Sequence, residues 1–449
     1  MLEEEKKEEL LALLTGKKYR ELKSQLVEMN EVDIASFIEE LDSEKTVVVF
    51  RMLPKELASE VFACLEVEQQ QHIITSITDN ELRAIIDDLY VDDAVDMLEE
   101  LPATIVRRVL QNSSPDTRKL INQFLNYPEN SAGSVMTAEY VGLKKNMTVE
   151  QAFDYIRKYG VDKETIYTCY VMDEKRRLEG VVTVKDLLMN DYAALMGDIM
   201  DPHVIKAYTT EDQEKVVETF NEYNLLSLPV VDGEDRLVGI ITVDDVMDVM
   251  EQEATEDIEK MAAMTPSDKP YLKTSVWDIY KHRIPWLMLL MVSATFTGLI
   301  ITKFEHALAA QVVLTAYIPM LMDTGGNSGS QSSVTIIRGL SLSEIHFKDI
   351  FAVLWKEIRV AVLCGLSLAV VNFAKLLLLD RVGAQVALVV SLTLVVTVAA
   401  AKFIGCTLPL LAKKIGFDPA VMASPLITTI VDALALLTYF GIASSLLHI

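Results

Sequence analysis

The chain has 449 residues, enough for several domains, a formal net charge of -25 and four cysteines. Residues 276–449 hold only 9 acidic and 12 basic side chains, so the negative charge belongs to the first 275 residues and the remainder is apolar. An acidic half of this kind repels nucleic acid and anionic headgroups and attracts cations. Cys64, Cys169, Cys364 and Cys406 form no CxxC pair, so neither a disulfide framework nor a zinc site is implied.

The N-terminus, MLEEEKKEELLALL, lacks the basic start and apolar core of a signal peptide, so the front half is expected in a reducing cytosol. Residues 1–130 read as helices. DIASFIEEL (33–41) and DAVDMLEEL (93–101) are near copies, and ELASEVFACL (56–65) and ELRAIIDDL (81–89) look related. Short similar amphipathic helices predict a helical solenoid.

A second repeat follows. SVMTAEYVGLKKNMTVEQAFDYI (134–156) parallels DIMDPHVIKAYTTEDQEKVVETF (198–220), and YVMDEKRRLEGVVTVKDLL (170–188) parallels PVVDGEDRLVGIITVDDVM (229–247). The alternation of strand and helix predicts a small α/β module used twice, over 131–195 and 196–250. These units resemble CBS modules, in their MT/MD-P start and in the GxxTxxD turn of Gly180, Thr183 and Asp186 and of Gly239, Thr242 and Asp245. Many such pairs hold an adenine nucleotide; a purely structural pair is the other reading, and both stay open on the motif alone. DVMEQEATEDIEKMAAM (248–264) then forms an acidic helix whose Glu253, Glu256 and Asp257 share one side, within a connecting segment over 251–280.

From Ile284 onward apolar runs recur, and a helix needs roughly 20 apolar residues to cross a bilayer. Five spans are expected within 281–449: 284–302, about 307–322, 351–379, 384–412 and about 420–447. Lys273, Lys281 and Arg283 precede the first. Arg338, Lys348, Lys356 and Arg359 lie between the second and third, and Lys413 and Lys414 between the fourth and fifth. Basic loops on one side place the N-terminal half in the cytosol and the C-terminus outside. Lys402, inside the fourth span, is expected to snorkel toward the cytosolic end. Pro319, Gly325, Gly326 and Gly329 predict a broken or kinked helix in the second.

SPLITTIVDALALLTYF (424–440) would suit lipid except for Asp432. A charge at the centre of a span costs about 2.5–3.5 kcal/mol on insertion scales, so such a residue faces a partner or a wet path. Thr428 and Ser424 lie one and two turns back on the same face, with Thr429 beside them. A carboxylate with hydroxyls suits a hard, hydrated cation such as Mg2+ rather than a thiolate- or imidazole-bound metal. Asp323, Asn327 and Gln331 recur every fourth residue and form a second polar face.

With TGGNSGSQ (324–331) and DPAVMASPLITTIVD (418–432) added to this order of domains, the chain closely resembles the MgtE-type magnesium transporters over essentially its whole length. The fold class expected is a multidomain membrane protein: an all-α N-terminal solenoid, α/β tandem CBS modules, a long acidic connecting helix and a five-span α-helical transmembrane domain. The resemblance implies a homodimer in the bilayer around a magnesium-selective pore, with Asp432 from both protomers and with Thr428 and Ser424 holding the hydrated ion. It implies a cytosolic Mg2+ sensor in which Asp92 and Asp96 oppose Asp245 and Asp248, joined by Glu60. It also implies a plug helix carrying Glu253, Glu256 and Asp257, with Asp418 as its membrane-side partner, and ATP near Tyr170, Thr242 and Asp245. Asn224 stands where relatives carry an acid. The activity implied is Mg2+ uptake under negative feedback, with no enzymatic step. The other readings are a transporter of Co2+ or Mn2+, a CBS-regulated anion channel, against which the carboxylate face argues, and an intramembrane aspartyl protease built on the DTG triplet at Asp323.

Overall fold

The computed structural model describes residues 4–267, 271–272 and 274–447, apart from the side chains at 307 and 424. Of the residues singled out above, Lys273 and the side chain of Ser424 lie outside that set. The chain divides into two compact units, Met1–Val249 and Met250–Ile449.

The first unit begins with short helices, from Glu4–Thr15 to Pro115–Phe124, joined by tight turns. Their starts are written in the sequence. Asn30 and Asp42 cap two of them, and Thr78 and Glu81 close a capping box, each satisfying amide donors that a helix start leaves unbonded. Helices pack on the next but one: Glu31–Glu39 on Lys55–Ala63, that on Asp79–Ile86, and that on Ala103–Asn112. Val91–Glu100 (α1) packs on Pro115–Phe124 in the same manner. The near copies DIASFIEEL and DAVDMLEEL thus occupy equivalent helices, each burying its Ile/Val and Leu/Phe face.

Two three-stranded sheets follow. Val141–Lys144 (β1) runs parallel to Thr168–Met172 (β2), which is antiparallel to Leu178–Thr183 (β3). Ala207–Tyr208 (β4), Ser227–Val231 (β5) and Leu237–Thr242 (β6) repeat that order, with a bulge at the same place in each copy. The segment leading into each module crosses to the other's sheet: Thr137 bridges Ile240, and Asp201 bridges Val181. This crossing explains the glycine of each GxxTxxD turn. A Cβ on Gly239 would lie 2.5 Å from the Thr137 carbonyl oxygen, and one on Gly180 would lie 3.0 Å from that of Asp201. The threonine and aspartate of the turn form the cap of the next helix, Thr183 Oγ1 donating to Asp186 Oδ2 and Thr242 Oγ1 to Asp245 Oδ2, both at 2.6 Å.

Val243–Met261 (α2) leaves the second module and ends in the second unit. That unit contains Val276–Lys303 (α3), Ile318–Ser341 (α4), Ile350–Leu378 (α5), Ala384–Ile415 (α6) and Ser424–Leu447 (α7). Among the described residues four segments are long and apolar enough to cross a membrane: Val276–Lys303, Phe347–Leu378, Ala384–Ile415 and Pro419–Leu447. The run near 307–322, expected as a span, is instead a short helix, Glu305–Ala310, and a 3-10 segment, Val312–Tyr317, leading into α4. Nor do the glycines break α4. It runs unbroken through Thr324–Gln331, with Pro319 in its first turn where no amide donor is needed. α4 packs against both α6 and α7, and α5 packs on α6.

Candidate functional site: a carboxylate-lined membrane cavity

One face of α4 is buried and small. Gly325, Gly326, Ser328, Gly329, Ser332 and Ser333 are buried, with Gly325 and Gly329 facing both α6 and α7. A Cβ on Gly405 of α6 would lie 2.2 Å from the Gly329 carbonyl oxygen, so the two helices meet backbone to backbone. Small residues permit this approach, which is how membrane helices gain packing without a hydrophobic drive. A Cβ on Gly326 would meet Thr428 Cγ2 at 2.9 Å, so α7 also packs closely on this face, though through a side chain.

Beside the α4–α7 contact lies a cavity of about 440 Å³, lined by Ile318, Pro319, Met322, Asp323, Gly326, Asn327, Thr428 and Asp432. Thr428 and Thr429 donate their hydroxyls to the Pro425 carbonyl, at 2.9 and 3.0 Å, which leaves the Thr428 oxygen lone pairs as acceptors. Among the described residues no side chain donates a hydrogen bond to the Asp432 carboxylate. The cavity therefore offers two carboxylates, an amide and a hydroxyl, the oxygen-rich surface that a hydrated hard cation prefers. Asp323, Asn327, Gln331 and Arg338 are all exposed along α4. A polar stripe at membrane depth is tolerated only where it is covered or lines water.

Lys402 does not snorkel. It is 5 % exposed, and its Nζ donates to Ser332 Oγ at 3.2 Å and lies 3.8 Å from Glu357 Oε2. Ser332 Oγ in turn donates to that Glu357 oxygen at 2.6 Å. Charge compensation inside the bundle wins over the reach to water. Sequence reasoning missed this set, because its members come from α4, α5 and α6.

In the first unit a second group of acids gathers. Burial, followed by Asp93, Asp245, Glu164 and Glu139, holds the Asp92 carboxyl well above the ordinary range. Burial, then Asp245, Glu139 and Asp244, push Asp93 to about 6; burial, then Asp245 and Asp244, push Glu164 to about 7; burial, then Glu99, push Asp96 to about 7. Asp92 Oδ1 is buried with no hydrogen-bond partner. Asp245 is raised by burial, with Asp244 and Asp248 adding to it and the Thr242 cap opposing. Glu60 is also raised by burial, but the acids that act on it are Glu31, Asp88 and Glu56. Among the described residues no group of three or more His, Cys, Asp or Glu already converges on a metal position.

At the end of α2, within the second unit, Lys260 pairs with Glu256 and, at 2.7 Å, with Asp418. Burial works against the Lys260 ammonium, and the two carboxylates outweigh it and keep it charged. Asp257 accepts from Ser341 Oγ at 3.3 Å at the end of α4; burial and then Asp418 raise its carboxyl. Met261 packs on Ile337, Ala420 and Ala423. Glu253 lies one turn before Asp257 on the same helix.

Residues 318–442 match the family described as "Divalent cation transporter", 29–130 the "MgtE intracellular N domain", and 132–191 and 196–252 the CBS domain. The chain is 38% identical to the magnesium transporter MgtE of Thermus thermophilus over 96% of both chains. It is 32% identical to that of Bacillus subtilis over 98% of this chain and 97% of the relative. The chain belongs to the MgtE family of magnesium transporters. Its front part is similar to the soluble part of a magnesium transporter (TM-score 0.54, 30% identity, 56% of this chain and 99% of that one). It is also similar to the cytosolic domain of the Mg2+ channel MgtE in complex with ATP (TM-score 0.51, 39% identity, 54% and 98%).

MgtE proteins are transporters and not enzymes, so the protease reading of the DTG triplet falls. Of the pore residues expected, Thr428 and Asp432 meet at one cavity, joined by Asp323 and Asn327 from the second polar face. Of the residues expected around a nucleotide, Tyr170 is fully buried between the modules, edge-on to Tyr140 and bonded to Ser227 at 2.8 Å. Thr242 and Asp245 are engaged in their cap. Asn224, where MgtE relatives were expected to carry an acid, ends its helix in the left-handed region (φ 52°). Asparagine takes up that backbone readily.

Proposed function

We propose that this protein is a magnesium-selective channel for Mg2+ uptake, closed by Mg2+ bound to its cytosolic acids. The observation that carries the proposal is the cavity in which Asp432, Thr428, Asp323 and Asn327 face one another between apolar helices. α4 serves as the fifth span. Its 24 residues extend about 36 Å, enough to cross, and its polar stripe is what separates it from the four apolar helices. The exposed stripe supports a homodimer, since a second copy that covers it turns an open groove into a conduit lined by two copies of Asp432. The basic loops at Lys281 and Arg283, at Lys348 and Lys356, and at Lys413 and Lys414 favour a cytosolic N-terminal half and an external C-terminus.

The brake follows from electrostatics. Like charges about 4 Å apart repel by roughly 1 kcal/mol in water and by more in a protein. Asp92, Asp96, Asp245, Asp248 and Glu60 on one side, and Glu253, Glu256, Asp257 and Asp418 near the membrane, therefore favour separation without cations. Mg2+ shifts the balance to the closed form through its higher affinity for it. ATP at the CBS pair, near Tyr170, Thr242 and Asp245, is proposed as a modulator; the likeness to an ATP-bound relative supports it.

The test is Mg2+ flux into proteoliposomes holding the full chain. Asp432→Ala is expected to abolish uptake, and Co2+ or Mn2+ in excess to compete poorly. Uptake unaltered by Asp432→Ala removes that residue from the pore; strong uptake of Co2+ or Mn2+ assigns a broader divalent substrate.

A further inference from the structure

The Lys402, Glu357 and Ser332 set lies on the face of α4 turned away from the cavity. Lys402 and Ser332 are both buried, 5 % and 2 % exposed. Two opposite charges in the interior of a membrane bundle are costly, and helix packing alone does not need them. Their geometry indicates what they supply. Ser332 is three residues beyond Gly329, and Lys402 three before Gly405, so the set lies one turn from the place where the α4 and α6 backbones touch. A contact between two glycines interlocks no side chains of its own, so the directional resistance to rotation or sliding at that point comes from the groups beside it. The hydroxyl of α4 clasped between the ammonium of α6 and the carboxylate of α5 resists both, because each bond is directional.

We infer that Lys402, Glu357 and Ser332 are positioning residues that fix the rotation of α4, and through it the placement of Asp323 and Asn327 against Thr428 and Asp432. Ser332 lies nine residues from Asp323 along one unbroken helix, about 13 Å. A turn of α4 about its axis at the clasp therefore reappears at the cavity. The clasp touches no ion: it sets the separation of the oxygen ligands that do. This inference rests on the transport reading above, and it adds residues that line no part of the cavity.

The experiment uses the full chain in proteoliposomes, with Mg2+ as the ion, together with thermal unfolding in detergent. Lys402→Met and Glu357→Gln each leave one buried charge unmatched and are expected to lower Tm. The double variant, Lys402→Met with Glu357→Gln, removes both charges and is expected to recover Tm. Its Mg2+ concentration for half-maximal uptake is nonetheless expected to shift roughly five-fold or more, the size of an ordinary coupling. Ser332→Ala keeps both charges and removes the clasped hydroxyl, and is expected to shift the same curve in the same direction. Lys402→Arg, which keeps the charge and the donors, is expected to restore it in part. Recovery of Tm together with a wild-type uptake curve in the double variant reduces the set to a stability element and overturns the inference. An unshifted Ser332→Ala curve does the same if the double variant fails to fold. Absence of Mg2+ uptake by the wild-type protein defeats the transport reading itself, which is a different outcome from normal uptake with unshifted variants.

Discussion

Lys260 holds a position that a divalent ion would also suit, between Glu256 and Asp418. A tethered ammonium there neutralises part of the repulsion that separates the end of α2 from the loop before α7. Lys260→Gln leaves the two carboxylates facing each other. It is expected to raise the Mg2+ concentration needed to close the pore, by roughly five-fold, measured as inhibition of uptake by Mg2+ on the cytosolic side. A lower closing concentration shows that the lysine competes with the ion, and an unchanged one shows that it neither competes with the ion nor stands in for it. At this scale the sequence was legible where one residue contradicted its surroundings. Asp432 and Thr428 stand out because a carboxylate in an apolar run calls for a partner or a wet path, and both line one cavity. Glu357 and Ser332 sit among equally informative neighbours, but their meeting with Lys402 joins positions 25 and 70 residues apart. No local pattern encodes such a meeting.

The helices were legible by a different route. Short soluble helices announced themselves through caps and amphipathic spacing, and the near copies 33–41 and 93–101 fell on equivalent elements. α4 was misread because glycine weakens helices in water, where a freed peptide group finds a solvent partner. Packed between apolar helices a freed peptide group has no such partner, so the helical hydrogen bonds persist and the glycines act as contact surfaces. The consequence is testable at Gly405. A methyl group there collides with the Gly329 backbone, which cannot move aside as a flexible side chain would. Gly405→Ala is expected to push α4 and α6 apart and lower the Tm of the detergent-solubilised protein by several degrees, a loss of about 1–3 kcal/mol. Gly298→Ala, at a position with nothing within 4 Å, is the control expected to leave Tm unaltered.

For the molecule as a whole, the acidic front half is a store of unfavourable charge. Asp93, Asp96 and Glu164 have pKa values raised to between about 6 and 7, above those of the unfolded chain. The folded state therefore binds protons more tightly than the unfolded one, and stability falls as pH rises from about 4 to 7. In metal-free buffer the protein is expected to unfold at lower temperature at pH 8 than at pH 5.5. Saturating Mg2+ should abolish most of that difference, because the cation takes over the neutralising role of the proton. Calorimetry across that pH range checks both statements, and a pH-independent unfolding temperature without Mg2+ refutes the first. The division into an acidic half and an apolar half was evident from composition. The gathering of Asp92 and Glu164 was not, since it depends on how the early helices and the sheets close on a common core.

The crossed lead-in segments at Thr137 and Asp201 also bear on how such a protein could arise. Each sheet borrows its border from the sibling sequence, so a solitary copy would expose a raw margin ready to pair with any passing strand. Duplication, in this light, came together with mutual dependence: the two halves are legible as twins on paper, yet neither is a finished object, and a signal that disturbs one has no way of leaving the other untouched.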